Sequence, residues 1–195
     1  MRAAAILACA VSLACAATGP RELRHRAVGR RALAGSAVSA GVGQLRNSPH
    51  EWGRGPLGYV KRFGSHLGQH VAKESIQFGV AALRHEDLRY RRSHLQGTWP
   101  RVRYAVKSTF LVPRANKPGR TVALSRLSGN LGAGMLSRVW QPASTAGVGA
   151  GLASGGIGLG ADVGANVARE FWPRKERHPR PRRVRYYRGR QTLRH

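Results

Sequence analysis

Two cysteines, Cys9 and Cys15, stand within the first 17 residues, and none follows in the rest of the 195-residue chain. Past that segment, disulfides, thiolate catalysis and cysteine-ligated zinc are excluded. Carboxylates are nearly as scarce. Glu22, Glu51, Glu74, Glu86, Asp87, Asp162, Glu170 and Glu176 face 34 Lys and Arg, for a formal net charge of +26. Acid–base catalysis and hard-metal sites therefore have few groups to draw on. Large apolar side chains are thin as well, with four Phe and three Ile. A core of alanine and valine, at about 25 cal/mol per Å² of apolar surface, is weakly stabilised unless backbones approach closely. No Gly-Lys-Ser/Thr follows any glycine run, and "GVGAGLASGG" follows no strand, so phosphate and dinucleotide loops are absent.

What is present is positive charge and glycine. Arginine outnumbers lysine 29 to 5, and with Ala, Gly and Pro it shares GC-rich codons, so part of the charge reflects base composition. The remaining excess favours anionic partners: lipid headgroups, an envelope surface or nucleic acid. Residues 1–17, "MRAAAILACAVSLACAA", have the organisation of a signal peptide. Arg2 precedes an apolar run from Ala3 to Ala14, and Ala14-Cys15-Ala16 is an A-x-A cleavage triplet. Arg21, Arg24, Arg26, Arg30 and Arg31 follow closely and oppose translocation. The expectation is an exported protein of the periplasm or outer-membrane surface.

Residues 18–50 are basic and show no sustained period, which reads as a mobile arm. Residues 51–172 read as an all-α body of three to four helices. Pro56 suits a first helical turn. From Leu57 to Leu83, Leu57, Val60, Gly64, Leu67, Val71, Phe78 and Ala82 mark an apolar face. Lys61, Arg62, Ser65, His66, Gln69, His70, Lys73 and Gln77 mark the opposite one. The polar stretch 84–97 reads as a loop. Residues 101–111 fit a helix or an alternating strand, and helical neighbours favour the helix. Two prolines make 112–120 a loop. Further helices are expected over 121–140 and from Pro142 or Ser144 to about Arg169. Residues 173–195, with ten Lys or Arg and three prolines, read as a disordered Arg-rich tail.

Glycine recurs on a helical period. Gly156, Gly160, Gly164 and Ala168 fall four apart, as do Gly147, Gly151 and Gly155. The same spacing joins Gly64 and Gly68, followed by Gly79, and brings Gly129 beside Gly132. Each interior glycine costs roughly 0.5–1 kcal/mol relative to alanine. The compensation is close backbone approach, the small-xxx-small logic of glycine-zipper packing. Gly64, Gly68, Gly79, Gly129, Gly132, Gly156, Gly160 and Gly164 are the expected helix-packing positions. Residues 145–168 are long enough to span a bilayer. Glycine adds little hydrophobicity, however, and Asp162 at depth would cost about 2.5–3.5 kcal/mol. Membrane association and a soluble envelope bundle both remain open on these grounds.

Chemistry has few candidates. His85, Glu86, Asp87 and His94 invite a metal or acid–base reading, but adjacent helical residues do not converge and four arginines surround them. A helix exit held by salt bridges explains them better. His66 and His70 are four apart, yet Leu67 stands where an HExxH zinc motif needs glutamate. No catalytic residue, metal or cofactor is expected, and no small-molecule substrate. In the tail, Tyr186 and Tyr187 interleave with Arg180, Arg182, Arg183, Arg185, Arg188 and Arg190. These are candidate anion-binding residues for lipid headgroups or, alternatively, for single-stranded nucleic acid by stacking and phosphate contact.

The stretches "SPHEWGRGPLGYVKRFGSHLGQHVAKESIQFGVAALRHEDLRY", "TVALSRLSGNLGAGMLSRVW" and "EFWP" resemble a group of exported, glycine-rich helical proteins of acidobacterial type. The resemblance spans about residues 48 to 173. It implies an envelope context and a helical body; the group has no established activity and supplies no functional residues. The expected function is a non-enzymatic envelope role, structural or membrane-associated, with self-association through the zipper helices. The alternative is a cationic nucleic-acid-binding protein using the tail. N-terminal sequencing of protein from membrane and soluble fractions checks the export expectation. A mature chain starting near Ala17 or Thr18 is expected, and a cytosolic product starting at Met1 would refute it.

Overall fold

Pro56, which has no N–H to leave unpaired, opens the longest helix of the structure. His85 closes it in a left-handed conformation, at φ 53°. The computed structural model describes residues 27–114 and 119–172, and over them the chain is mostly helical. Helix α1 spans Arg30–Leu45, α2 Pro56–Arg84 and α3 Thr98–Phe110. Strands β1, Leu111–Pro113, and β2, Arg120–Val122, pair antiparallel, with Val112 opposite Thr121. Helix α4 spans Leu124–Leu136 and α5 Val148–Phe171. Single 3-10 turns lie at His50–Trp52, Ser137–Val139 and Ala143–Thr145.

The expected helices over 57–83 and 101–111 are found as α2 and α3, and the two later ones as α4 and α5. Three differences have physical reasons. Residues 30–45, expected within a mobile arm, form a fifth helix. Its buried positions, Ala32, Ser36 and Ala40, keep a four-residue period without any large side chain, so no apolar stripe advertised it. The helix expected from Thr121 starts later, because Thr121 and Val122 are spent pairing with β1. The loop expected over 112–120 accordingly contains strand residues at both ends. The signal segment 1–17 and the tail 173–195 lie outside the described residues.

The third difference concerns which side of α2 is inside. The apolar face expected from the sequence places Leu57, Val60 and Gly64 inward, yet all three are exposed. Arg62, Ser65 and Gln77, from the opposite face, are buried. Arg62 explains the first turns. Its guanidinium donates to the carbonyls of Ser48 at 3.0 Å, Gly53 at 2.7 Å and Pro49 at 2.7 Å, and to Gln44 Oε1 at 2.6 Å. One side chain thus holds the whole connection between α1 and α2. A planar fork with five donors can satisfy so many carbonyls where a lysine could not.

Around α2 the other helices assemble through small residues. Helix α4 runs antiparallel to it: a Cβ built on Gly129 would lie 2.9 Å from Gln77 Cβ, and one on Gly132 3.1 Å from Ile76 Cδ1. Helix α5 runs antiparallel to α4, and there the backbones touch. A Cβ on Gly134 would lie 2.5 Å from the Gly151 carbonyl oxygen, and one on Gly155 2.9 Å from Leu131 Cα. Helix α3 packs on the C-terminal half of α5, where Asn166 Nδ2 donates to Thr109 Oγ1 at 2.9 Å. Among the described residues the fully buried apolar side chains are alanines, save Phe78 and Val112.

The glycines sort accordingly. Gly129 and Gly132 lie at the α2–α4 contact, Gly79 is buried, and a Cβ built on Gly68 would lie an ordinary 3.7 Å from the Trp140 ring. Gly64, Gly156, Gly160 and Gly164 have nothing within 4 Å of a built Cβ, so among the described residues no helix packs on them. The α5 row at the contact is the other one, Gly151 and Gly155 with Gly158. Two neighbouring substitutions separate the rows. Gly155→Ala should destabilise by about 1–3 kcal/mol through overpacking. Gly156→Ala should stabilise by roughly 0.5–1 kcal/mol through helix propensity. Thermal unfolding of both variants beside the parent checks this, and equal melting temperatures would contradict it.

Candidate functional site

One stripe of α5 carries every polar group that faces the bundle. Asp162, Asn166 and Glu170 are four apart and continue the line of Gly151, Gly155 and Gly158. Asp162 receives Lys73 Nζ at 2.6 Å and Asn130 Nδ2 at 2.8 Å. One turn or two further toward the N-terminus, Gln69 Nε2 donates to Ser154 Oγ at 2.8 Å. The single acidic side chain of the glycine-rich stretch is thus neutralised by the neighbouring helices. A carboxylate and an ammonium in contact lower each other's desolvation cost when both also hold hydrogen bonds.

Glu170 anchors the other end. Its side chain is fully buried, and it accepts from Tyr90 Oη at 2.8 Å, from the Ser93 backbone N–H at 2.9 Å and from Ser93 Oγ. Arg101 lies 3.8 Å from the same carboxylate and stacks its guanidinium on the Phe171 ring at 4.6 Å. Burial alone would raise the carboxyl's pKa, but the hydrogen bonds from Ser93 and Tyr90 and the Arg101 charge hold it below the usual value. The Tyr90 hydroxyl is pushed up, by burial and by facing that carboxylate. The polar loop 85–97 is thereby fastened to α5.

The candidate catalytic residues do not converge. His85 and His94 are exposed. Glu86 is buried, pairs with Arg84 at 2.8 Å and accepts from the Ser125 N–H at 3.2 Å and Oγ at 2.6 Å. A carboxylate at the first turn of α4 complements the helix dipole. Asp87 takes Arg91 at 3.1 Å and the Arg89 N–H at 2.9 Å. Burial lowers the pKa of His66. Among the described residues no group of three or more His, Cys, Asp or Glu is arranged to hold a metal ion. The six tail arginines lie outside the described residues.

With the polar stripe inward, the large apolar side chains point away from the bundle. On α5 these are Val148, Leu152 and Ile157, beside the open row Gly156, Gly160 and Gly164. On α1 they are Leu33, Val38, Val42 and Leu45, with no charge between Arg31 and Arg46. Ile157 is 74% exposed and Leu45 84%. Monomeric proteins seldom leave broad contiguous apolar surface in water, and such surface marks contact with membranes or other chains. Sequence reasoning missed this surface because residues 18–50 read as a mobile arm and Gly156, Gly160 and Gly164 read as the packing row of α5.

A groove of about 530 Å³ opens between the His50–Trp52 turn, the first half of α2 and Trp140 beyond the end of α4. Trp52 and Trp140 flank it, Gly64, Ser65 and Gly68 form its floor, and Val60 and Lys61 its rim. Trp140 Nε1 and Gln141 Nε2 both donate to Ser65 Oγ, at 3.1 and 3.3 Å. The polar edge of the Trp140 indole is therefore turned into the protein. Sequence reading did not bring these residues together, since two of the elements are single turns.

Comparison with protein-family models, with curated proteins and with solved structures found no match for the chain.

Glu170 should make the stability of the fold sensitive to acid. Its folded pKa lies below its unfolded one, so its contribution is complete above the ordinary carboxylate range and is lost as pH falls through the folded value. His66, lowered by burial, adds a loss as pH falls below its ordinary 6.5. Glu170→Gln should cost about 1–3 kcal/mol at pH 7 and flatten the acid limb. Urea midpoints from pH 7 to 3 check this; an unchanged acid slope in the variant would contradict it.

Proposed function

We propose that this is a non-enzymatic, exported envelope protein that attaches to an anionic membrane surface through the outer faces of α1 and α5. The observation that carries the reading is the inverted partition of side chains. Arg62, Glu86, Ser125, Asn130, Asn166 and Glu170 are buried and hydrogen-bonded, while Val38, Val42, Leu45, Val148, Leu152 and Ile157 are exposed. Helices that meet through small residues and polar contacts, with their large apolar groups outward, follow the packing logic of a lipid environment. No helix among the described residues is long and apolar enough to cross a membrane. The attachment is therefore read as lying in the interface plane, with apolar side chains entering the headgroup boundary.

Charge supports the same partner. A chain of net charge +26 is drawn to anionic lipid, at about 1 kcal/mol per Lys or Arg held near the surface. The signal-like residues 1–17 and the resemblance to exported acidobacterial-type proteins support an envelope setting. On the membrane the open row Gly156, Gly160 and Gly164 is available to a second copy, which is where the glycine zipper belongs in this reading.

Sedimentation with anionic vesicles, zwitterionic vesicles and single-stranded DNA at matched salt tests the proposal against nucleic-acid binding. Anionic vesicles should capture the protein, and Val42→Asp with Ile157→Asp should weaken capture by roughly tenfold or more, since two apolar side chains no longer enter the interface. Deleting 174–195 should remove most DNA affinity and spare vesicle capture. Gly160→Leu with Gly164→Leu should leave the melting temperature of the free protein no lower and reduce cross-linked dimers on vesicles. Tight DNA binding with no vesicle capture would overturn the reading.

A further inference from the structure

We propose that the groove between Trp52 and Trp140 binds one acyl chain of an anionic lipid, with the anionic group at Lys61. The inference rests on the membrane-attachment reading and names a ligand for a groove on α2. Three observations carry it. The groove holds about 530 Å³, within the range of roughly 300–1,000 Å³ typical of small-ligand sites. Its floor is helix backbone: Gly64 has nothing within 4 Å of a built Cβ, so a chain can lie directly on α2. Two tryptophans bound it, and indoles favour the boundary between acyl chain and headgroup.

The polar chemistry of the wall selects the ligand further. Ser65 Oγ already accepts from Trp140 and Gln141, so both of its lone pairs are taken and it offers no acceptor to a sugar hydroxyl. No carboxylate among the described residues pairs with Lys61. The wall thus presents apolar surface, one exposed ammonium and no acidic group. A ligand that matches is apolar along its length and anionic at one end. Lysine suits a headgroup oxygen as a compact point charge.

Tryptophan quenching in solution, without vesicles, tests this on the full chain. Trp99 and Trp172 are 73% and 68% exposed, so Trp99→Phe with Trp172→Phe leaves the groove pair as the only fluorophores of their kind. A monomeric brominated long-chain fatty acid should quench them saturably, at one molecule per chain. The brominated alcohol of equal length should bind at least fivefold more weakly, and Lys61→Gln should erase that difference. Gly64→Leu, whose side chain enters open space, should abolish saturable quenching while circular dichroism stays unchanged. Absence of saturable quenching, or quenching indifferent to both Gly64→Leu and Lys61→Gln, would overturn the proposal. So would saturable quenching by a brominated benzoate with none by the long chain. If vesicle capture persists while fatty-acid quenching fails, the groove is refuted and the attachment reading stands.

Discussion

The Lys73–Asp162–Asn130 contact decides which side of α5 is inside. Asp162 Oδ1 meets Lys73 Nζ at 2.6 Å and Oδ2 meets Asn130 Nδ2 at 2.8 Å, so one carboxylate ties α2, α4 and α5 together. With Asp162 inward, the helical period brings Asn166 and Glu170 inward on one side and Gly158, Gly155 and Gly151 on the other. The glycines then let the α4 and α5 backbones touch. Breaking such a pair on one side leaves a half-buried charge without its partner, at a cost below the about 3–5 kcal/mol of a fully buried pair.

The same rule repeats wherever two elements meet. Arg62 gathers carbonyls between α1 and α2, Glu86 joins the end of α2 to the start of α4, and Glu170 fastens the 85–97 loop to α5. Each hydrogen bond contributes only about 0.5–1.5 kcal/mol net, but an unmade partner in a dry interface costs more than that. Polar groups therefore set register, and alanine and glycine fill the space between. Many of the large apolar side chains, Leu45, Val148, Leu152 and Ile157 among them, are left on the outside. An interior of this kind and an exterior of that kind are two results of one arrangement.

How far this was legible in the residues follows from the same physics. Helix positions were readable, because Pro56, the period of 57–83 and the small-residue rows are local signals. Helix α1 was not, since Ala32, Ser36 and Ala40 form a contact face that hydropathy does not distinguish from its surroundings. The inner face of the first turns of α2 was misread because amphipathicity assumes that apolar means buried, and Leu57, Val60 and Arg62 invert that, whereas Phe78 further along is buried. The α5 rows were both visible, and only the partners of Asp162 choose between them. The groove joins Trp52, Gly64 and Trp140 across 88 positions of sequence, from 52 to 140, so no local pattern could mark it.

The central claim is that the polar stripe of α5 faces the bundle and its apolar face enters lipid. A nitroxide at Ile157→Cys, in a chain with Cys9 and Cys15 replaced by alanine, reports on it directly. Power saturation compares access to oxygen, which partitions into lipid, with access to a water-soluble nickel chelate. In solution the label should be open to nickel. With anionic vesicles, nickel access should collapse and oxygen access should rise. Nickel access unchanged by saturating vesicles would contradict the account.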